Sequence, residues 1–134
     1  MSVLPNMRVF IADDSAVVRE RLMETLSEIP HVEIIGWAED GLQAIQSIRE
    51  MKPDVAVLDI EMPRGTGLDV LKNLRHDKGG PIVIVFTNFP YPQYRKRALA
   101  EGADFFFDKS TEFEALRDLV HRMVAERQSH EAVE

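Results

Sequence analysis

The chain has 134 residues and a mass of 15.3 kDa, enough for one compact domain, so a catalytic module joined to a DNA-binding module is excluded within it. Its 16 Lys and Arg against 23 Asp and Glu leave a formal charge of −7, the wrong sign for holding nucleic acid or anionic lipid by bulk charge. With no cysteine there is no disulfide, thiolate nucleophile or Cys-ligated metal. The histidines, at positions 31, 76, 121 and 130, are too scattered for a His-based metal motif. No apolar run approaches the ~20 residues of a membrane span, and the N-terminus lacks the apolar stretch of a signal peptide, so a cytoplasmic location without membrane insertion is expected.

Short apolar runs alternate with longer amphipathic ones, the rhythm of a parallel sheet covered by helices on both faces. Residues 1–6 are an N-terminal extension. The first strand is Met7–Ala12, followed by a helix over 16–29 whose stripe is Val18, Leu22, Leu26 and Ile29. Strand Val32–Ala38 is interrupted by Glu33, which marks it as an edge. Helix Gly41–Met51 is expected to bury Leu42, Ile45 and Ile48, and Lys52-Pro53-Asp54 stops it, because the residue before proline disfavours helix. Strand Val55–Leu58 is wholly apolar. A helix over 68–75 then offers Leu68, Leu71 and Leu74, and the turn over 77–81 leads into a strand over 82–86.

The next helix, 91–101, is crowded by Pro90 and Pro92 at its start and closes at Gly102. After a strand over 105–107, Thr111 and Glu114 have capping-box spacing, and Phe113, Leu116, Val120 and Met123 form the last stripe. The domain is expected to span 7–125 and to leave a polar tail over 126–134. Continuous apolar strands are buried on both faces, as in doubly wound sheets.

Open parallel sheets bind ligands at the carboxyl ends of their strands. Those ends carry Asp13, Asp14 and Ser15; then Asp59, Ile60, Glu61, Met62 and Pro63; then Thr87 and Asn88; then Asp108, Lys109 and Ser110. An acidic pair before a helix is ordinarily a cap, and a Thr or Lys at a strand end is ordinarily a solvated turn residue. Asp59 is different, because an unpaired carboxylate after a fully apolar strand is costly to desolvate. Carboxylates brought together in a desolvated site demand protonation or a cation. Oxygen donors without His or Cys suit Mg²⁺. Such a site beside one Lys and one Thr suits phosphoryl transfer, and one carboxylate can itself be the nucleophile.

The motifs Asp13-Asp14-Ser15, Gly41 with Ala44 and Ile45, the run from Lys52 to Pro63 with Gly67-Leu68, Thr87, Gly102-Ala103-Asp104 with Phe106, and Lys109 stand in order. Together they resemble the receiver domain of bacterial two-component response regulators, the single-domain chemotaxis type in particular. The resemblance implies a flavodoxin-like (βα)5 sandwich with strand order 2-1-3-4-5. It implies Asp59 as phosphoacceptor and Mg²⁺ held by Asp14, Asp59, the Glu61 backbone carbonyl and, through water, Asp13. Lys109 would pair with phosphoryl oxygens, and Thr87 with Phe106 would form the switch.

The phosphodonor would be a histidine kinase, and the chain itself a phosphoacceptor that promotes its own phosphorylation and dephosphorylation rather than an enzyme with a separate substrate. Departures from the family pattern are Ser110, where Pro is frequent after the Lys, Asn88 beside Thr87, and Phe106, where Tyr is frequent. Asn88 and the Glu61 side chain are candidate modulators of access to the phosphoryl group. With 134 residues taken as the whole chain, output is expected through an effector protein or a histidine phosphotransferase, with a homodimer as the alternative use of the face bearing Tyr91, Tyr94, Arg95, Lys96 and Arg97.

Three other readings meet specific objections. A haloacid-dehalogenase-type phosphatase needs Asp-x-Asp after the first strand, whereas Asp13 and Asp14 are adjacent. A flavodoxin's first loop cradles phosphate, which two carboxylates would repel. A degenerate receiver would lack part of the set Asp13, Asp14, Asp59, Thr87 and Lys109.

Overall fold

A computed structural model of the chain describes residues 5–75 and 77–133. Its elements alternate as β1 Met7–Ala12, α1 Ala16–Ser27, β2 Val32–Ala38, α2 Gly41–Met51, β3 Val55–Leu58, α3 Gly67–Leu74, β4 Ile82–Thr87, α4 Pro92–Ala100, β5 Phe105–Asp108 and α5 Phe113–Val133. The strands form one parallel sheet in the order β2-β1-β3-β4-β5, the flavodoxin-like arrangement.

The apolar runs are continuous because each sheet face has its own core. Val9, Ile11, Val57, Ile84 and Phe86 pack against Leu22 and Leu26 of α1 and Leu116 and Val120 of α5. Phe10, Ala12, Leu58 and Val85 pack against Ala44 and Ile48 of α2, Val70 and Leu71 of α3 and Ala98 of α4. Edge strand β2 is only partly covered and carries a bulge opposite Val9 and Phe10.

Three local expectations are corrected. Leu42 is 56 % exposed. The face of α2 turned inward is Gly41, Ala44 and Ile48. Gly41 is pressed on the β3–α3 loop, where a Cβ would lie 2.0 Å from the Gly65 carbonyl oxygen, so Leu42, about 100° further round the helix, points to solvent. Pro92 does not disturb α4 but starts it at the first helical position, where its missing N–H costs nothing.

The Thr111–Glu114 capping box does not form. Asp108 closes a turn in which its carbonyl accepts from Thr111 and Glu112 N–H, and its own N–H donates to Glu112 Oε1 at 3.0 Å, so α5 starts only at Phe113. The capping box instead lies on α3, between Thr66 and Asp69. Helix α5 carries on into the polar segment after residue 125. It continues to Val133, anchored by buried Val124 and by Arg127 Nη1 at 3.2 Å from Asp54 Oδ2.

Candidate functional site

The parallel ladders place the two inner carboxylates. Asp13 N–H donates to the Ala38 carbonyl at 3.0 Å, and Asp59 N–H donates to the Ala12 carbonyl at 2.9 Å, so each residue continues the sheet pattern one step past its strand. Asp13 Oδ1 then accepts from Ser15 N–H at 2.9 Å, while Ser15 Oγ caps α1 by accepting from Val18 N–H. Glu61 N–H donates to Asp59 Oδ1 at 3.3 Å. Gly67 is required behind Asp59, since a Cβ there would stand 2.2 Å from the Asp59 carbonyl oxygen.

The loop carrying Glu61 is fastened to α2. Gly41 N–H donates to the Pro63 carbonyl and Leu42 N–H to the Arg64 carbonyl. Arg64 also donates through Nε and Nη2 to Oδ2 of Asp40. The Gln43 N–H, followed by the Arg64 guanidinium, holds the Asp40 carboxyl below the usual carboxylate range.

Carboxylate oxygens of Asp13, Asp14 and Asp59 all lie within 4.8 Å of one another, Asp13 and Asp59 buried and Asp14 exposed. Lys109 Nζ bridges the buried pair, 2.5 Å from Asp13 Oδ2 and 2.9 Å from Asp59 Oδ2. Burial pushes the Asp59 carboxyl up to about 6, against the opposing hydrogen bond and charge of Lys109 and with the help of the Asp13 charge. Burial also works against the Lys109 ammonium, but its bonds to Asp13 and Asp59 outweigh that and hold its pKa above the ordinary value. One ammonium does not neutralise three carboxylates, and a hard divalent cation suits the all-oxygen donors that remain, so the residues present fit Mg²⁺.

Thr87 ends β4 opposite Asp108. Its side chain is buried, and its Oγ1 accepts from Phe89 N–H at 3.1 Å. Its carbonyl accepts from Lys109 N–H at 2.9 Å, which ties the Lys109 backbone to the β4 end. Asn88 is exposed. Phe106 is 5 % exposed, already packed inward among Val85, Ala98 and Ala103, with the Arg95 guanidinium 5.6 Å over its ring. Among the described residues no peptide bond is cis, so Lys109–Ser110 is trans.

An all-oxygen acidic cluster at the carboxyl rim of a parallel sheet, beside a buried lysine and threonine, is chemically suited to phosphoryl transfer. The family model described as "Response regulator receiver domain" matches residues 9–121. The chain is 39 % identical over 114 residues to protein-glutamate methylesterase/protein-glutamine glutaminase 1 of Methanospirillum hungatei, covering 84 % of this chain and 33 % of that protein. It thus spans about a third of that relative's length.

Among solved structures it resembles the response regulator domain of Thermotoga maritima CheB, with 29 % identity, TM-score 0.79 and coverage of 92 % of this chain and 97 % of that one. It also resembles a chain of the CheX–CheY complex of Borrelia burgdorferi with BeF3⁻ and Mg²⁺, with 25 % identity, TM-score 0.75 and coverage of 86 % and 90 %. The chain belongs to the response regulator receiver domains. Such domains take phosphate from histidine kinases and pass signals to effectors or phosphotransferases, and they bind Mg²⁺ at an acidic pocket. No helix among the described residues is long and apolar enough to cross a membrane.

Sequence reasoning passed over Arg19. It stands three residues before Leu22 and seven before Leu26, on the inward face of α1, and a charge on such a face is the signal that it has a specific buried partner.

Proposed function

We propose that Asp59 accepts a phosphoryl group from the phosphohistidine of a histidine kinase. Mg²⁺ would be held by Asp14, Asp59 and the Glu61 backbone carbonyl, with Asp13 engaged through water, and when bound it offsets charge on the phosphoryl oxygens. An Asp59 carboxylate oxygen forms the new O–P bond while the P–N bond breaks and the imidazole nitrogen keeps the electron pair. The observation that carries this reading is the Lys109 ammonium bridging Asp13 and Asp59 beside the open carboxylate of Asp14. Lys109 then has a phosphoryl oxygen to hold as charge builds at Asp59.

The Thr87 hydroxyl, whose oxygen accepts from Phe89, keeps its own proton to donate to the phosphoryl group. Because Phe106 is already inward, the movement assigned to the switch is that of Thr87 with the β4–α4 loop, transmitted to Phe106 and the α4 surface of Tyr91, Tyr94, Arg95, Lys96 and Arg97. That surface receives an effector protein or a histidine phosphotransferase. Homodimerisation through it is the alternative output.

Acetyl phosphate with Mg²⁺ is expected to add one phosphate to the wild type and none to Asp59→Asn, as read by intact-mass spectrometry. Equal uptake by the variant overturns the assignment.

A further inference from the structure

Arg19 is the charged member of the buried set Arg19, Leu22 and Leu26 on α1, and it is 8 % exposed. Among the described residues no carboxylate lies within 4.0 Å of it. Its guanidinium does two other things. Nη1 donates to the backbone carbonyl of Asp13 at 2.7 Å, and the guanidinium carbon lies 4.1 Å from the ring centroid of Trp37 on β2. Trp37 is paired in register with Ile11, and the next pair is Ala12 with Ala38.

The Asp13 backbone is thus held at both ends. Its N–H is taken by the Ala38 carbonyl at 3.0 Å and its C=O by Arg19. That C=O belongs to the peptide plane shared with Asp14. Fixing the plane fixes the direction in which the Asp14 Cα departs from the strand, although Asp14 itself is exposed. Trp37 in turn covers one face of the guanidinium, and a planar cation stacked on an aromatic ring has little freedom to turn away.

The charge of Arg19 and its grip on the Asp13 carbonyl act on the metal in opposite directions. A cation beside a cation site opposes binding of the metal by simple repulsion. If Arg19 acted only through its charge, its removal would tighten metal binding. If it acts through the Asp13 carbonyl, its removal loosens it.

We propose that Arg19, held flat by Trp37, is a positioning residue for Mg²⁺ that sets the Asp13–Asp14 peptide and so presents the Asp14 carboxylate to the site. The proposal rests on the reading above that Asp13, Asp14 and Asp59 bind Mg²⁺. Residues that orient metal ligands without touching the metal ordinarily contribute ten- to a hundredfold to affinity.

The test is calorimetric titration of the metal-free full chain with Mg²⁺ alone, for wild type, Asp14→Asn, Arg19→Met, Arg19→Lys and Trp37→Leu, with thermal unfolding in EDTA measured alongside. Arg19→Met is expected to weaken Mg²⁺ binding about tenfold. Arg19→Lys, which keeps a donor and the charge but not the planar face, is expected to fall between it and wild type. Trp37→Leu is expected to weaken binding by less than Arg19→Met, and the Arg19→Met/Trp37→Leu double variant no more than Arg19→Met alone. Mg²⁺ binding by folded Arg19→Met as tight as wild type, or tighter, overturns the proposal. If Arg19→Met does not fold, unchanged affinity in both Arg19→Lys and Trp37→Leu overturns it. A wild type that takes up no Mg²⁺, or an Asp14→Asn variant that binds it undiminished, instead sinks the metal-site reading.

Discussion

Lys109 Nζ lies 2.9 Å from Asp59 Oδ2, so the proposed phosphoacceptor is engaged by its cation before any phosphate arrives. The same nitrogen is also bonded to Asp13, and the Lys109 side chain is 7 % exposed. The ammonium is therefore a structural counter-ion as well as the proposed phosphoryl ligand.

Replacing it separates the two roles. Lys109→Ala leaves a buried carboxylate pair without its partner, and in EDTA the variant is expected to lose about 3 kcal/mol in urea unfolding. Mg²⁺ should still bind and restore much of that loss. Beryllium fluoride with Mg²⁺ should no longer shift the amides around Thr87 and Phe106. Wild-type shifts in this variant would remove Lys109 from the switch.

A pH dependence follows from Asp59. The unfolded chain releases this proton near 3.8, whereas the folded domain releases it only at about 6. Across that window the folded state keeps a proton that the unfolded state has lost, so stability falls as pH rises and stays lowered above the window. In EDTA the wild type should lose on the order of 2 kcal/mol relative to Asp59→Asn between about pH 4 and pH 7. A stability difference between the two proteins that stays flat with pH contradicts the raised carboxyl.

Thr87→Ala isolates the switch from the chemistry. Phosphate uptake from acetyl phosphate should persist, because Asp13, Asp14, Asp59 and Lys109 are untouched. Amide shifts at β5 and α4 on adding beryllium fluoride should shrink by more than half. Undiminished shifts would show that the signal bypasses the Thr87 hydroxyl.

The backs of the loops are as constrained as their fronts. Gly67→Ala places a methyl group 2.2 Å from the Asp59 carbonyl oxygen, and overpacking against backbone costs about 1–3 kcal/mol. The variant should be less stable by urea unfolding and slower to take up phosphate, because the main chain bearing Asp59 must move. A fully active, equally stable Gly67→Ala protein would rule out that close contact.

Arg127→Ala tests what holds the C-terminal end of α5. The ion pair with Asp54 is partly exposed, so its loss should cost under about 1 kcal/mol globally. Amide exchange over 126–133 should nevertheless quicken clearly. Unchanged exchange would mean that Val124 alone anchors the end of the helix.

The strands were legible because each is a continuous apolar run between turn residues, and burial on both faces makes such runs unambiguous. Asp13, Asp14, Asp59 and Lys109 were legible because strand ends in a parallel sheet share one rim, and the structure brings them together. What sequence periodicity misjudged depends on contacts distant in the chain. Leu42 fits a helical stripe, yet the Gly41–Gly65 contact turns it outward. Thr111 and Glu114 have capping-box spacing, but Asp108 captures Glu112 first.

The sheet order also sets a timetable for synthesis. Asp13 and Asp14 leave the ribosome first and Asp59 next, while Lys109 follows Asp59 by 50 residues and joins it only after β5 has docked on β4. A nascent or prematurely terminated chain therefore carries the proposed acceptor without its lysine. The proposed phosphoryl site is complete only when the last strand closes the sheet.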